Sequence, residues 1–408
     1  MTHGEPSSDG KPVSRRRLLG GGAALVGGVA LGAAAVTVAR GGDDVAAEPT
    51  HGADTLPFHG VHQSGVETPQ QAHGWFVALD LADGRDRSAA IRLMRLWTDD
   101  AARLTRGAGA LADQEAELAA RPARLTVTVG FGPSLFASLG LEHRRPPSLR
   151  PLPAFAVDRL DPRWGEADLL LHVAADDLVT VSHAVRVLTR DARSLATVRW
   201  VQRGFLRARG TEPAATTPRN LLGQVDGTVN PAAGTADFAR VVWIDDGPDA
   251  LRGGSLLVLR RIPFDLDRWE EIGRSDRELI IGRRIADGAP ITGGDERTPV
   301  DLTATANGLS VVPEFAHVRR ARAQNPDEVF LRRGYSFDDS DAAPFPGGDA
   351  GLLFCAYQAD IDRQYVPVQR RLAELDLLNR WTTPVGSAVF AILPGVPEGG
   401  WLGESVLA

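Results

Sequence analysis

The sequence predicts an α+β protein made of two halves that meet near residue 218. The chain has 408 residues, which corresponds to about two domains of ordinary size. Strand-like and helix-like segments alternate along it, and the second half repeats the scheme of the first. No glycine-rich phosphate-binding motif is present, so a nucleotide-binding fold gains no support.

In the first half, short apolar runs alternate with longer runs of helical spacing. A strand points successive side chains to opposite faces, whereas a helix brings side chains three and four positions apart onto one face. These two periods predict strands over 74–81, 125–130, 168–174 and 198–202, and helices over 88–107 and 176–189.

The second half shows the same alternation of short and long apolar runs. Its pattern predicts strands over 239–244, 255–262, 351–357 and 388–392, and helices over 264–273 and 366–378. The proline-rich stretches 146–153 and 213–218 are predicted to be loops, because proline lacks the N–H that strand and helix interiors use.

The amino terminus has the form of an export signal. Three arginines at 15–17 follow Ser14, and no charged side chain occurs over 18–39. Paired arginines ahead of an apolar run indicate the twin-arginine route. We expect residues 1–40 to be this signal, cleaved at 33–35 or 37–39, and 41–56 to be a linker. The alternative is a membrane anchor, but the glycines over 20–32 weaken a spanning helix.

Composition narrows the choice of partners and metal ligands. A chain that is 43% hydrophobic and 24% charged is ordinary for a globular protein, and this excludes disorder as its main state. A net charge of −7 argues against nucleic acid, which requires a basic surface. Cys355 is the only cysteine, so the chain has no intrachain disulfide and no cysteine-based metal centre. Histidines are therefore its main soft ligands.

Three segments of the second half contain residues that catalysis could use. Residues 219–231 hold an Asp-Gly pair at 226–227, which on its own indicates a tight turn. His317 is the only histidine after His183, yet a lone histidine in an apolar frame is more often a core residue. Residues 330–337 place two arginines ahead of Gly-Tyr, a pattern typical of a solvated strand end.

Together the three segments resemble the dye-decolorising peroxidase family of haem enzymes. The resemblance is carried by Gly223–Thr228, which matches the family's Gly-x-x-Asp-Gly motif, by His317, and by the Arg-Arg-Gly-Tyr-Ser-Phe run over 332–337, in the family's order. It extends to segments 60–66, 351–354 and 386–391, and so covers nearly the whole chain after the signal. The twin-arginine signal is similar to that of the exported branch, which includes the deferrochelatase-like proteins.

The resemblance implies two ferredoxin-like halves, over 57–217 and 218–408, with one haem b per chain held mainly by the second half. It implies that His317 is the proximal ligand of the haem iron. A carboxylate is expected at the other ring nitrogen to orient the imidazole. Asp376 is the candidate for this carboxylate, and Glu374 is the alternative.

On the opposite face of the haem, the resemblance assigns Asp226 as the acid–base residue that moves a peroxide proton. Arg332 matches the distal arginine, which stabilises charge as the O–O bond breaks. Arg333 should face the other way if both arginines lie in a strand. Three further residues are expected to line the haem, and one of two arginines is expected to pair with a haem propionate. The lining residues are Gly227, Thr228 and Val229, and the arginines are Arg260 and Arg261.

One departure from the family concerns residues 383–384, which are Thr-Pro where many relatives carry a histidine. The family's substrate preference and proton path are therefore less readily transferred to this chain. Bulky donors cannot reach a buried haem, so aromatic residues of the second half are either electron relays or, as we expect, core residues. These residues are Trp243, Trp269, Trp381, Tyr335 and Tyr357.

The leading expectation is a haem peroxidase that uses hydrogen peroxide and a bulky organic or protein electron donor, such as a dye or phenol. The alternative is a deferrochelatase-like protein that takes iron from haem, and a third is a haem or small-molecule carrier. We expect no nucleic-acid partner, and membrane contact only during export to the periplasm, cell envelope or medium. The natural reductant and the oligomeric state, a homo-oligomer included, stay open.

Overall fold

The computed structural model describes residues 50–84, 86–340 and 348–408. The predicted signal over 1–40 lies outside the described residues, as does most of the predicted linker, whose last residues, 50–56, form no regular structure. No helix within the described ranges is both long and apolar enough to cross a membrane.

The first half forms a β-α-β-β-α-β unit. Each of its two long helices begins after an aspartate that caps it: Asp86 accepts from the Ala89 N–H and Asp177 from the Thr180 N–H. The elements in chain order are β1 (His73–Leu81), α1 (Arg87–Leu104), β2 (Thr126–Phe131), α2 (Pro133–Ser138), β3 (Leu169–Ala175), α3 (Leu178–Ala192) and β4 (Ala196–Phe205).

The second half repeats the unit with longer insertions between its strands. A short π-helix, Ile361–Tyr365, leads into its last long helix. The elements are α4 (Ala236–Val242), β5 (Ser255–Pro263), α5 (Leu266–Glu270), α6 (Arg274–Ile281), β6 (Thr305–Ala306), β7 (Leu309–Ser310), α7 (His317–Ala321), β8 (Leu331–Arg332), β9 (Tyr335–Asp338), β10 (Ala350–Gln358), α8 (Val366–Leu375), β11 (Gly386–Ile392) and α9 (Glu404–Leu407).

The two halves share one closed antiparallel sheet. Strands β2-β3-β1-β4 and β11-β5-β10-β9 each have the strand order of a ferredoxin-like unit, which confirms the α+β fold class. The pairings β2–β11 and β4–β9 join the two sheets into a barrel of eight strands. The short β8 pairs with β10 in the same register as β9, so 331–338 is one strand interrupted at 333–334. Closure leaves no open edge in the barrel.

Alternate side chains of each strand pack on opposite sides of the barrel wall. Val77 and Leu79 of β1 pack outward in the cluster that includes α1 and α3, whereas Phe76 and Ala78 pack inward. The interior is filled by large side chains, among them the buried rings of Tyr335 and Phe390. The period of two in the sequence therefore separates the outer core from the barrel interior.

Two predicted elements of the second half are wrong. The predicted strand over 239–244 is instead the end of α4, which Thr235 caps by accepting from the Phe238 N–H. Its apolar residues face the core cluster of the barrel interior, and a six-residue segment with five apolar residues does not by itself distinguish a strand from a short buried helix. The predicted helix over 264–273 is shortened to α5, and a separate helix, α6, follows Gly273.

Candidate functional site

Asp226 lies at the end of a tight loop that begins the second half. Gly223, at φ +81°, makes the turn, and an antiparallel bridge between Arg219 and Val225 closes the loop. The Asp226 N–H donates to the carbonyl of Pro218 at 2.8 Å, which fixes the backbone of the aspartate. The Asp-Gly pair itself lies between two turns, at 221–222 and 228–229, and its aspartate presents a carboxylate.

Arg332 on β8 faces this carboxylate. Its Nη1 donates to Asp226 Oδ1 at 2.5 Å, and both side chains are partly exposed. The Asn230 side chain holds the backbone of Arg332 on both sides, since its Oδ1 accepts from the Arg332 N–H and its Nδ2 donates to the Arg332 carbonyl. Arg333 points the other way, where it is buried and donates to the Thr68 carbonyl.

His317 begins α7 and forms a second pair with Asp376, at the end of α8. Its Nδ1 lies 2.6 Å from Asp376 Oδ2. The other oxygen of Asp376 accepts from the Leu378 N–H, so the carboxylate is itself held in place. Glu374, the alternative, is 67% exposed and pairs with Arg320. The structure thus brings Asp376 and not Glu374 to the imidazole.

The Asp376 carboxylate makes the imidazole of His317 more basic. Burial lowers the pKa of His317, but the charge and hydrogen bond of Asp376 outweigh it, so the pKa lies above its ordinary value. Arg332 and Asp226 also act on the pKa of His317, with opposite signs. Nε2 makes no hydrogen bond to any residue that the structure describes, so this nitrogen is free to act as a ligand.

A cavity of about 240 Å³ opens beside Asp226 and Arg332. Its walls combine the polar pair with apolar side chains from β10, namely Leu352 and Phe354, and with the loop over 214–220. Gly227 also lines it, at φ +125°, a conformation that favours glycine.

Other residues expected at the haem are placed differently. Thr228 donates to Glu296 at 3.0 Å, and Val229 is 71% exposed. Arg260, predicted as a possible partner of a haem propionate, has a guanidinium that is 1% exposed and paired with Asp158. A buried side chain already paired with a carboxylate has little capacity to hold a propionate.

Arg261, the neighbour of Arg260, faces the opposite side of the barrel wall. It is also buried, and it donates to Gln202, Asp339 and Asp349. Neither arginine of this pair lines the cavity.

Three polar residues near the site were missed by the sequence analysis. Asn220 contacts Asp226, and Asn230 holds Arg332. Arg283 lies close enough to Arg332 for the two charges to repel, and burial together with this repulsion lowers the pKa of Arg283. The sequence could have indicated the two asparagines, because they flank Asp226, six residues before it and four residues after it.

The aromatic residues considered as relays are largely core residues. Four of the five are buried, and the fifth, Trp381, packs edge-on against Trp269 at 5.4 Å between ring centroids. The four buried residues are Trp243, Trp269, Tyr335 and Tyr357.

Comparison with protein families matches both halves of the chain. The model described as "Dyp-type peroxidase, N-terminal" matches residues 63–206, and that described as "Dyp-type peroxidase, C-terminal" matches residues 217–397.

Individual proteins match over nearly the full chain. A dye-decolorizing peroxidase of Thermobifida fusca is 39% identical over 99% of each chain, and a deferrochelatase of Yersinia pestis is 33% identical over 99% of this chain and 97% of that protein. The crystal structure of a DyP-type peroxidase from Cellulomonas bogoriensis is 50% identical, with a TM-score of 0.84 over 88% of this chain and 99% of that chain. The chain described here therefore belongs to the Dyp-type peroxidase family.

Proposed function

We propose that this protein is a haem-dependent peroxidase that reduces hydrogen peroxide and oxidises bulky organic donors such as dyes and phenols. The observation that supports it most directly is the pairing of Arg332 with Asp226 beside a cavity, together with His317, whose Nδ1 is engaged by Asp376 and whose Nε2 makes no hydrogen bond to the described residues. A permanent cation, a carboxylate that can exchange a proton and an imidazole ligand are the groups that peroxide activation at haem requires.

The residues present fit a haem. Asp376 engages Nδ1 of His317, so the proton is placed on that nitrogen and the lone pair of Nε2 is left for iron. The cavity beside Asp226 has apolar walls at Leu352 and Phe354, as a planar hydrophobic ring needs. Arg283 replaces Arg260 as our candidate partner for a propionate, because the described residues engage only its Nη1.

When bound, the haem would supply the iron that receives peroxide, and it would store the two oxidising equivalents that peroxide provides until donors reduce them. The residues of the chain bind peroxide and move its proton from one oxygen to the other. Asp226 takes a proton from one peroxide oxygen and returns it to the other. Arg332 stays protonated, so it stabilises the developing negative charge and moves no proton. His317, which Asp376 makes more basic, would hold the haem iron through Nε2.

The test is to load the full chain with haem and to follow its absorption spectrum and its peroxide-dependent oxidation of an anthraquinone dye. We expect one haem per chain, a spectrum typical of histidine-ligated ferric haem, and dye oxidation that requires peroxide. His317→Ala should lose this spectrum. An unchanged spectrum in His317→Ala would exclude His317 as the ligand, and a haem-loaded chain inert to peroxide would exclude the peroxidase.

A second candidate is supported by the deferrochelatase of Yersinia pestis, which is 33% identical over nearly the whole chain. Iron removal from haem would leave the ring intact, and the same pocket would serve both reactions. Anaerobic incubation of the protein with haem and a reductant distinguishes them. Free protoporphyrin, detected by its fluorescence, would support iron extraction. If no free protoporphyrin forms, iron extraction is excluded and the peroxidase function remains.

We further propose that the precursor is exported by the twin-arginine route and acts outside the cytoplasm. This rests on the arginines at 15–17 ahead of the uncharged stretch 18–39. The route carries folded proteins, so the haem would be inserted before export. The proposal is tested by the arginine replacement described in the Discussion.

A further inference from the structure

Asn220 lies directly against Asp226, and its amide group has one orientation. Its Oδ1 lies 3.1 Å from the Leu222 N–H and 3.3 Å from the Gln224 N–H. Both neighbours are donors, so the oxygen must face them and the NH₂ group must face away. The NH₂ group then lies at Asp226, where Nδ2 donates to Oδ2 at 3.3 Å.

The carboxylate of Asp226 is therefore held at both oxygens. Oδ1 accepts from the guanidinium of Arg332 at 2.5 Å, and Oδ2 accepts from the amide of Asn220. The terminal torsion of an aspartate is broad, so one donor alone leaves the carboxylate free to turn. A second donor on the other oxygen restricts that rotation. Asn220 also lines the cavity beside Asp226 and Arg332.

We propose that Asn220 is a positioning residue for peroxide activation, which rests on the proposed function: its amide holds Asp226 so that Oδ2 exchanges the peroxide proton. Oδ1 is committed to a permanent cation, which makes it the weaker base of the two oxygens. Oδ2 receives only a longer, neutral hydrogen bond and keeps a lone pair available. The charged group in direct contact with this carboxylate is Arg332.

A purely structural role for Asn220 is the competing explanation. The side chain stabilises its own turn by accepting from two N–H groups, and its backbone N–H donates to the Gln224 carbonyl at 3.0 Å. Asn220→Asp separates the two roles because it retains the acceptor that the turn needs and replaces the donor with an oxygen. Asn220→Ser also retains an acceptor, and it removes the donor without adding charge.

Asn325 provides a matched control far along the chain. Its Oδ1 accepts from the Asp327 N–H at 2.9 Å, and its Nδ2 donates to the carboxylate of Glu328 at 3.0 Å. It therefore combines a turn and a carboxylate contact in the same way as Asn220, with no contact to Asp226 or Arg332. Asn325→Ser measures what the loss of such an asparagine does to folding alone.

The experiment has two readouts on the full chain. In the chain loaded with zinc protoporphyrin, a diamagnetic substitute for haem, the ¹³C resonance of the Asp226 carboxyl is titrated with pH and assigned with Asp226→Asn. In the haem-loaded chain, the rate of the spectral change on mixing with peroxide is measured across pH. Urea unfolding of each variant reports its fold.

Loss of a donor to a carboxylate disfavours its ionised form. Asn220→Ser removes this donor and Asn220→Asp also adds a negative charge, so the pH dependence of the Asp226 carboxyl resonance should differ from that of the parent, more in Asn220→Asp than in Asn220→Ser. The acid limb of the peroxide rate should move with it, while Asn325→Ser leaves both unchanged. The proposal is overturned if folded Asn220→Ser and Asn220→Asp both titrate as the parent does. A parent chain inert to peroxide would instead defeat the proposed function, while the carboxyl titration still tests Asn220.

Discussion

The side chains of Asp226 and Arg332 are in contact, and each performs a different task in the proposed reaction with peroxide. The guanidinium is a fixed cation, and the carboxylate is the group that can gain and lose a proton. Their contact at 2.5 Å links residues 106 positions apart in sequence. The two side chains are therefore expected to contribute to the reaction in different ways.

Asp226→Asn keeps the size of the side chain but removes its ability to take a proton. We expect the reaction with peroxide, followed by stopped-flow absorbance, to slow by about 10²–10⁴-fold. Arg332→Leu should also slow it, through loss of charge stabilisation, by about 10²–10³-fold. If Asp226→Asn reacts at the parental rate while Arg332→Leu does not, arginine alone carries the step and the proton-transfer role of Asp226 is wrong.

The contact between His317 and Asp376 predicts how tightly the chain binds haem. Asp376→Asn removes the negative charge that makes the imidazole more basic, so haem affinity should fall by about 10–100-fold. Glu374→Gln is the matched control, since this carboxylate is only two residues away and pairs with Arg320 at the surface. Haem titration followed by absorbance measures both. Equal affinities in the two variants would contradict the assignment.

At the scale of elements, closure of the barrel depends on a close approach between strands. Gly74 of β1 and Gly204 of β4 are cross-strand partners, and the ring of Tyr335 from β9 lies over both. A Cβ added at Gly204 would lie 2.4 Å from the Cβ of Tyr335, a contact that real structures do not tolerate. Glycine at these two positions is therefore required by packing.

Gly204→Ala should consequently destabilise the protein by about 1–3 kcal/mol, because the buried Tyr335 ring must move. The measurement is urea unfolding of the full chain. Gly60→Ala is the control, since an added Cβ there meets only one atom, at 3.5 Å. Equal stability of Gly204→Ala and the parent would show that the first and second halves do not pack as closely as the barrel requires.

Glu166, in the segment before β3, contacts β11 through a hydrogen bond that depends on pH. It accepts a hydrogen bond from the Val389 N–H on β11, and burial raises its pKa from 4.5 to about 7. A carboxyl whose pKa is higher in the folded state favours folding when protonated. Its contribution is therefore fully present below pH 4.5 and is lost as the pH rises towards 7.

The difference between 4.5 and about 7 corresponds to roughly 3 kcal/mol. Glu166→Gln cannot ionise, so the variant should gain stability over the parent as the pH rises from 4.5 to 7.5, by up to this amount. Urea midpoints across that range measure the gain, with the exposed Glu142→Gln as control. If the difference in stability between Glu166→Gln and the parent is the same at every pH, the pKa of Glu166 is not raised in the folded state.

At the scale of the whole molecule, the export proposal predicts where the protein is found. Replacing Arg15 and Arg16 with lysine should trap the precursor in the cytoplasm, because the route recognises paired arginines. Arg17 allows partial rescue through a shifted pair, so a triple replacement is the stricter variant. Cell fractionation with a haem stain measures the outcome. Normal export of the triple variant would contradict the proposal.

The sequence predicted most strands and helices because their periods are local. Ten of the twelve predicted segments overlap an element of the predicted type and similar length, among them β1, β3, β10 and α1. The segment over 239–244 was predicted wrongly because its five apolar residues fit either period, and the capping side chain of Thr235 lies before them. The segment over 264–273 was too long because Gly273 separates two short helices.

The sequence by itself determined the order of the motifs, the family they resemble and the identity of Asp226, His317 and Arg332 as the residues to examine. Only the tertiary structure decided that Asp376 rather than Glu374 reaches His317, that Arg260 is occupied by Asp158, and that two asparagines frame the site. It also decided that two ferredoxin-like sheets close into one barrel. This difference follows from distance along the chain. Local periods determine which face of a helix or strand is apolar. Side chains that are far apart in sequence, such as Arg260 and Asp158, which are 102 residues apart, meet only after the strands have paired.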